Sequence, residues 1–313
     1  MSVSVFIDGA VGTTGLEIGE RLAGRSDITL ITLPEDRRKD AAARAEALND
    51  ADAVILCLPD DAAREAVSLI RNSRTRVIDA STAHRTDPAW VYGFAELEPD
   101  SRQLLSNATR ISNPGCYPTG FLALVRPLVR AGLIPPSWPL SVNATSGYSG
   151  GGKSMIAAFE DPADSQATDT AFRIYALGQG HKHVAEMRVH AGLTYAPIFM
   201  PAVARAYRGM LVEVPLHLHA LPGRPGGAAI REVLETAYEG SALVHVDCGE
   251  YALLTLEQAA GSDRLELFLF VDEKTGQARL VAALDNLGKG AAGAAVQNLN
   301  IALGLSETQG LRL

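Results

Sequence analysis

The chain has 313 residues, enough for two domains with sizeable cores, and its 47% hydrophobic and 20% charged content is that of an ordinary globular protein. A net charge of −8 leaves no basic footprint for nucleic acid or for an anionic membrane surface. Apolar runs such as AVILCLP (53–59) are far too short to span a bilayer, and the opening MSVSVFIDGAVGTTG shows neither the basic region nor the cleavage site of a signal peptide. Cys57, Cys116 and Cys248 are odd in number and widely spaced, so neither a disulfide framework nor a zinc-binding pair is suggested. The expectation is a cytoplasmic protein with reduced thiols.

In chain order, residues 3–8 read as a strand, 15–23 as a helix and 28–33 as a strand. Helix 40–48, strand 53–58, helix 61–70 and strand 76–79 follow. This βαβαβ alternation predicts an α/β fold with a parallel sheet covered on both faces, and continuous runs such as VILCL suit its central strands. Residues 108–112 resemble a further strand, and 117–131 a helix with Pro118 in its first turn, where proline is tolerated.

From about residue 140 the pattern changes. LSVNAT (140–145) and MLVEVPLHLH (210–219) read as long strands, 264–284 as a hairpin about Glu273–Gly276, and 226–240 as an amphipathic helix. The tail 286–305 reads as a small-residue helix suited to packing back on the first domain. The expected organisation is a Rossmann-type NADP-binding domain over 1–115, completed by the C-terminal helix 286–313. An α+β catalytic and dimerisation domain with a mainly antiparallel sheet occupies 116–285.

Gly9, Gly12 and Gly15 follow the first strand and open the first helix, a GxxGxxG variant of the dinucleotide fingerprint. Glycines let the backbone approach a pyrophosphate, and the helix start, with Thr13 and Thr14, offers unpaired N–H groups and a positive dipole end. After the second strand, Glu35-Asp36-Arg37-Arg38-Lys39 holds both signs. Three consecutive cations near the expected adenosine ribose favour NADP over NAD, with Arg37 and Arg38 as candidate ligands of the 2′-phosphate.

SNPGCYPTG (112–120) places Cys116 after a strand, behind a sharp Asn-Pro-Gly turn and at a helix N-terminus, where exposed amides favour the thiolate. A thiolate nucleophile needs a proton-transfer partner, and GHKHVAE (180–186) is the densest polar cluster of the second domain. Chemistry alone does not rank His181 above His183, and Glu186 is placed to orient either ring. His-x-His also invites a metal reading, but no third ligand of suitable type stands nearby, so no metal is expected. His84, His190, His217, His219 and His245 read as structural, although His84 adjoins a Ser-Thr-Ala-His-Arg run. SGYSGGGK (146–153) follows a strand and suggests an amide nest for an oxyanion or phosphate, without the spacing of an ATP-binding loop. Arg205 and Arg208 precede the strand LVEVPLHL, where a guanidinium fork suits a substrate carboxylate.

SNPGCYPTG, DASTAHRT (79–86), YGFAEL (92–97), SGYSGGGK, GHKHVAE and DNLGKGAAGAAVQNLN (285–300) together resemble the N-acetyl-gamma-glutamyl-phosphate reductases, in the shorter of that family's two types. The likeness covers nearly the whole chain. SNPGCYPT is highly specific; the glycine loop is not. The resemblance implies a fold similar to glyceraldehyde-3-phosphate and aspartate-semialdehyde dehydrogenases, NADPH as cofactor, and a homodimer or homotetramer. It implies Cys116 as nucleophile, His181 as catalytic base and Glu186 as its orienting partner. It adds Ser81, Ser149, Gly150 and Asn286 near the cofactor, with Lys289 in the same C-terminal motif, and Arg85, Asn113 and Arg208 near the substrate. The family's usual proline before that Glu is Ala185 here, a departure expected to have little consequence.

The implied reaction is NADPH-dependent reduction of N-acetylglutamyl 5-phosphate to the semialdehyde through a Cys116 thioester, a step of arginine biosynthesis. Reductases of aminoadipyl or aspartyl phosphate are the nearest alternatives; the aspartyl enzymes usually present cysteine as Asn-Cys-Thr. A redox-sensing nucleotide-binding regulator would not need the His/Glu cluster.

Overall fold

The computed structural model describes residues 2–313. They form two compact units: residues 2–95, 100–115 and 291–311 in the first, and 96–99, 116–290 and 312–313 in the second. Among the described residues no helix is long and apolar enough to cross a membrane.

The first unit runs β1 (Val3–Asp8), α1 (Thr13–Leu22), β2 (Ile28–Ile31), α2 (Ala41–Asp50), β3 (Ala53–Leu56), α3 (Asp60–Leu69), β4 (Arg76–Asp79), β5 (Val91–Tyr92), α4 (Ser101–Asn107) and β6 (Arg110–Ser112). Its six strands are all parallel, in the order β2-β1-β3-β4-β6-β5. The two-residue period of a strand divides the core cleanly. Val5, Ile7, Ile55 and Ile78 face one layer with Ile18 and Leu22 of α1, whereas Phe6, Val54, Leu56 and Val77 face the other with Ala47, Leu48, Ala63 and Ala66. Because β2 lies on one side of β1 and β3 on the other, the chain switches direction between β1 and β3, and the crevice for a ligand opens beyond their carboxyl ends.

The second unit contains α5 (Cys116–Arg130), β7 (Ser141–Gly147), α6 (Gly152–Glu160), β8 (Phe172–Ile174), α7 (His183–Ala191), β9 (Ile198–Ala204), β10 (Met210–His217), α8 (Gly227–Tyr238), β11 (Val244–Asp247), β12 (Leu265–Asp272) and β13 (Gln277–Leu284). Its seven strands stand in the order β11-β12-β13-β10-β7-β9-β8, with β11–β12 and β7–β9 parallel and the other pairs antiparallel. One face packs on α5, where Gly120 lets the helix settle onto Val212: a Cβ there would come within 2.8 Å of the valine side chain. The opposite face carries Ile198 and Met200 of β9 and Phe172 and Ile174 of β8, all exposed.

Pro127 lies inside α5, where it cannot donate to the carbonyl of Ala123, four residues earlier. Tyr238, at the end of α8, fills that role: its hydroxyl donates to the Ala123 oxygen at 2.7 Å. The chain returns to the first unit through one turn of π-helix, Gly288–Ala292, and α9 (Gly293–Leu303), rather than as one continuous helix from 286. Asp285 causes the irregular start, since its carboxylate accepts the N–H groups of Leu287 and Gly288 at 2.8 and 3.2 Å. Likewise the strand expected over 210–219 ends at His217, where a 3₁₀ turn over Leu218–Ala220 begins.

Candidate active site

In the first unit the glycine loop is built by backbone crowding. Gly9 has φ +90°, and a Cβ on it would lie 2.3 Å from the carbonyl oxygen of Cys57, just past β3. A Cβ on Gly15 would lie 2.5 Å from the Gly9 oxygen, and the Gly12 N–H bonds that same oxygen at 2.9 Å. Gly12 is the N-cap of α1 and supplies no side chain to its amides, so the helix start is open to an anion. The Thr13 hydroxyl is buried there without a hydrogen-bond partner.

A cleft of about 910 Å³ extends from this loop past the end of β2, lined by Gly9, Gly15, Glu35, Asp36, Arg38 and Lys39 among others. Arg37 is not among its lining residues; it ends an exposed 3₁₀ turn over Glu35–Arg37. Arg44 of α2 reaches into the cleft but is held by Asp8 at 2.9 Å, which raises the pKa of the guanidinium further.

The other first-unit candidates form a scaffold. Asp79, fully buried, accepts the Ser81 N–H at 2.9 Å, the Ser81 hydroxyl at 2.8 Å and the ring of His84 through Nδ1 at 2.6 Å. The His84 ring stacks on Trp90 with centroids 4.1 Å apart. Arg85, expected to grip substrate, is buried instead and donates to two backbone carbonyls, those of Asn113 (2.9 Å) and Ala80 (3.1 Å). Asn113 is buried as well; its amide donates to the Ala291 carbonyl and accepts from Asn298, both at 3.0 Å. These two side chains hold the turn before Cys116 rather than presenting themselves to a ligand.

In the second unit, α5 begins at Cys116 itself, which sets the thiol-bearing residue at the positive end of a helix of 15 residues. His181 lies two residues before α7, and its Nδ1 accepts the backbone N–H of His183, the first helical residue, at 3.1 Å. The rings of Tyr117, Tyr175, His183 and Phe199 surround it, with centroids 4.7–6.0 Å away. The Tyr175 hydroxyl donates to that of Tyr117 at 3.0 Å. Burial is the main cause that raises both phenols, Tyr175 to about 12, and a negative charge on Cys116 raises both further. Tyr117 and Tyr175 thus flank the imidazole and also feel the charge of the thiol.

Burial foremost, then the charge of Lys182, lowers the pKa of His181, while Glu186 opposes them. Glu186 is itself buried in the first turn of α7 and acts on His181 through its charge. Because Nδ1 is an acceptor, the neutral ring carries its proton on Nε2. The expected base is therefore, at rest, a hydrogen-bond donor. Among the described residues no group of three metal-ligating side chains converges, at His-x-His or elsewhere.

The SGYSGGGK segment departs from the expected nest. The amides of Gly147, Tyr148 and Ser149 bond the carbonyls of Gly209, Ala206 and Tyr207, which leaves none of the three for an anion. Ser149 is buried and its hydroxyl accepts from Asn286 at 2.9 Å, while the Asn286 carbonyl oxygen accepts the Gly209 N–H at 2.9 Å. Gly150 lies beside the same asparagine: a Cβ there would come within 3.4 Å of its amide. Arg208 bonds Asp285 at 3.2 Å and lies over the Tyr207 ring, yet keeps 22% of its side chain exposed. Arg205 donates to the Asp169 carbonyl at 3.1 Å, so the two arginines form no fork.

Residues 4–104 match the semialdehyde dehydrogenase NAD-binding domain, and residues 116–286 the semialdehyde dehydrogenase dimerisation domain. The chain is 50% identical, over 98% of both sequences, to an N-acetyl-gamma-glutamyl-phosphate reductase of Trichormus variabilis. An N-acetyl-gamma-glutamyl-phosphate reductase 2 of Pseudomonas putida matches at the same identity and coverage. The chain belongs to the N-acetyl-gamma-glutamyl-phosphate reductase family. Its fold is that of aspartate semialdehyde dehydrogenase II from Vibrio cholerae, with a TM-score of 0.72 at 16% identity over 97% of this chain and 99% of that one. The Candida albicans aspartate semialdehyde dehydrogenase, solved with NADP, superposes with a TM-score of 0.64 at 14% identity, over 96% and 98% of the two chains.

In this member of the family the residues fit a dinucleotide. The uncapped start of α1, the partnerless Thr13 hydroxyl and the glycines that no Cβ could replace are what a pyrophosphate requires. Sequence reasoning missed Tyr175 and Phe199, which close the box around His181, and the Asp8–Arg44 pair. Asp8 ends β1 and Arg44 lies in α2, 36 positions on, so neither that pair nor Tyr175 carried a local signal.

Proposed function

We propose that this chain is an N-acetyl-gamma-glutamyl-phosphate reductase that forms a thioester on Cys116. The reading rests on one observation above the rest. Tyr117 and Tyr175 lie against a neutral imidazole just before α7 and feel the charge of a thiol at the start of α5, in a chain whose relatives at 50% identity carry that name.

The amides of α5 favour the thiolate of Cys116, which adds to the acyl carbon of the acyl phosphate. Charge collects on the acyl oxygen, where Nε2–H of His181 donates, and the C–O bond to phosphate then breaks. NADPH, when bound, supplies the hydride. Gly9, Gly12, Thr13, Thr14 and Gly15 would hold its pyrophosphate, and Arg38 with Lys39 its 2′-phosphate. His181 stabilises the thiohemiacetal oxygen in the same way, and its collapse restores Cys116 as thiolate. The buried rings of Tyr117 and Phe199, with the half-buried ring of Tyr175, keep water from the thioester.

Arg208 is the substrate-carboxylate candidate, since it is partly exposed and oriented by Asp285 and Tyr207. Arg85 and Asn113 act as positioning residues for the turn before Cys116, and Ser81 as part of the Asp79 scaffold. A second copy of the chain covers the open sheet face with Ile198, Met200, Phe172 and Ile174. The protein works in the cytoplasm, where its three thiols stay reduced.

Substrate choice is tested by comparing kcat/KM for N-acetylglutamyl, aspartyl and aminoadipyl phosphates with NADPH. Preference for the first is expected; preference for either other compound overturns the assignment.

A further inference from the structure

The segment from Asp285 to Gly290 leaves β13 and is tied at nearly every residue. The Asp285 carboxylate accepts the Gly261 N–H at 2.6 Å as well as Arg208, and Asn286 joins Gly209 to Ser149. Lys289 donates to Glu96 at 2.8 Å, with both side chains only 2% exposed. Gly290 bonds the Asp285 carbonyl at 3.0 Å. A Cβ on Gly290 would lie 2.9 Å from Cβ of Cys116 and 3.4 Å from its Cα.

Two sequence motifs meet in that ion pair: YGFAEL supplies Glu96 and DNLGKG supplies Lys289. The resemblance put Lys289 near the cofactor, yet its ammonium lies against a carboxylate in the interior of the second unit. A buried pair is a weak source of stability, because desolvation offsets the attraction and apolar replacement of both partners is often neutral. What it does supply is a single geometry, since neither charge tolerates losing the other. Here that geometry is one residue from the glycine that backs the nucleophile.

We propose that Lys289, through its pair with Glu96, is a positioning residue that seats Gly290 against Cys116 and so fixes the thiol at the start of α5. The inference rests on the reading of Cys116 as the reactive thiol. It requires nothing of Lys289 toward the cofactor. It also explains a glycine at 290, where any side chain would push on the nucleophile itself.

The test uses the full chain with Cys248→Ser, which removes the exposed thiol, and measures iodoacetamide alkylation of Cys116 against pH beside steady-state kinetics. Lys289→Met with Glu96→Met is expected to keep the melting temperature while Cys116 alkylation at neutral pH slows about fivefold or more. In the same variant kcat falls about tenfold or more, with KM for the acyl phosphate changed by less than about threefold. A folded double variant with parental alkylation and kcat, or one altered only in NADPH affinity, overturns the proposal. If the double variant does not fold, Gly290→Ala decides: altered Cys116 alkylation in a folded protein supports the contact, and parental alkylation refutes it. Alkylation needs no substrate, so its outcome is independent of which acyl phosphate the enzyme prefers.

Discussion

The Nδ1 atom of His181 accepts the backbone N–H of His183 at 3.1 Å, which places the imidazole on the positive end of α7. A protonated ring would set two donors face to face and add a cation to a helix N-terminus, and burial with Lys182 acts in the same direction. His181 is therefore neutral at pH 7 with its proton on Nε2. Since the pKa is lowered from 6.5, activity is expected to be level through neutrality and to fall only below that ordinary value. Nitrogen chemical shifts of His181 are expected to show the Nε2–H tautomer at pH 7; a neutral Nδ1–H ring there would contradict the donor role, and an imidazolium would contradict the neutral state. His181→Asn should lower kcat by about 10²–10⁴-fold.

The three cysteines separate by environment. Burial, then Asp79 and Asp8, pushes the Cys57 thiol up to about 12, so it should resist iodoacetamide at pH 7. Cys116 and the exposed Cys248 should react, and mass spectrometry of the peptides will show which did. Cys116→Ser is expected to abolish turnover while NADPH affinity is kept.

Tyr238 replaces the donor that Pro127 lacks, by bonding the Ala123 carbonyl at 2.7 Å. Tyr238→Phe leaves that oxygen buried and unsatisfied and should destabilise the protein by about 1–3 kcal/mol in urea unfolding. Pro127→Ala restores a backbone N–H to the same carbonyl, so the double variant should recover much of the loss. Additive losses in the double variant would mean that the hydroxyl matters for another reason.

Of the charged run after β2, Arg38 and Lys39 line the nucleotide cleft and Arg37 does not. Arg38→Ala should raise the KM for NADPH by about 10- to 100-fold, the worth of one or two charge-assisted bonds, and leave that for NADH nearly unchanged. Arg37→Ala should alter neither. Equal effects of the two substitutions would show that the run acts only as diffuse charge.

The open sheet face is expected to hold two copies together. Ile198→Asp with Met200→Asp should shift the protein toward the monomer in sedimentation, because each places a charge in a surface that a partner must desolvate. An unchanged sedimentation coefficient would move the interface elsewhere.

The doubly wound half was legible because its signals are local. VILCL is apolar on both strand faces, and β1 spans the expected residues 3–8. Cys116 was legible too, since strand, Asn-Pro-Gly turn and helix lie within one short stretch. α7 was not read as a helix: HVAEMRVHA has no apolar stripe at helical spacing, and its buried His183 and Glu186 are polar. Edge strand β8, three residues long with two exposed, gave too short a pattern to detect. The roles of Arg85, Asn113 and Lys289 were hidden for another reason. A charged or amide side chain in a motif looks alike whether it meets a ligand or a backbone carbonyl. Lys289 and Glu96 stand 193 positions apart, so only the fold shows that each is the other's partner.

The most direct measurement is mass spectrometry of the full-length protein mixed with N-acetylglutamyl phosphate in the absence of NADPH and quenched in acid. An N-acetylglutamyl adduct on the peptide carrying Cys116, formed together with one equivalent of phosphate, is the result expected. Phosphate release without an adduct, or an adduct on Cys57 or Cys248 instead, would contradict thioester catalysis at Cys116.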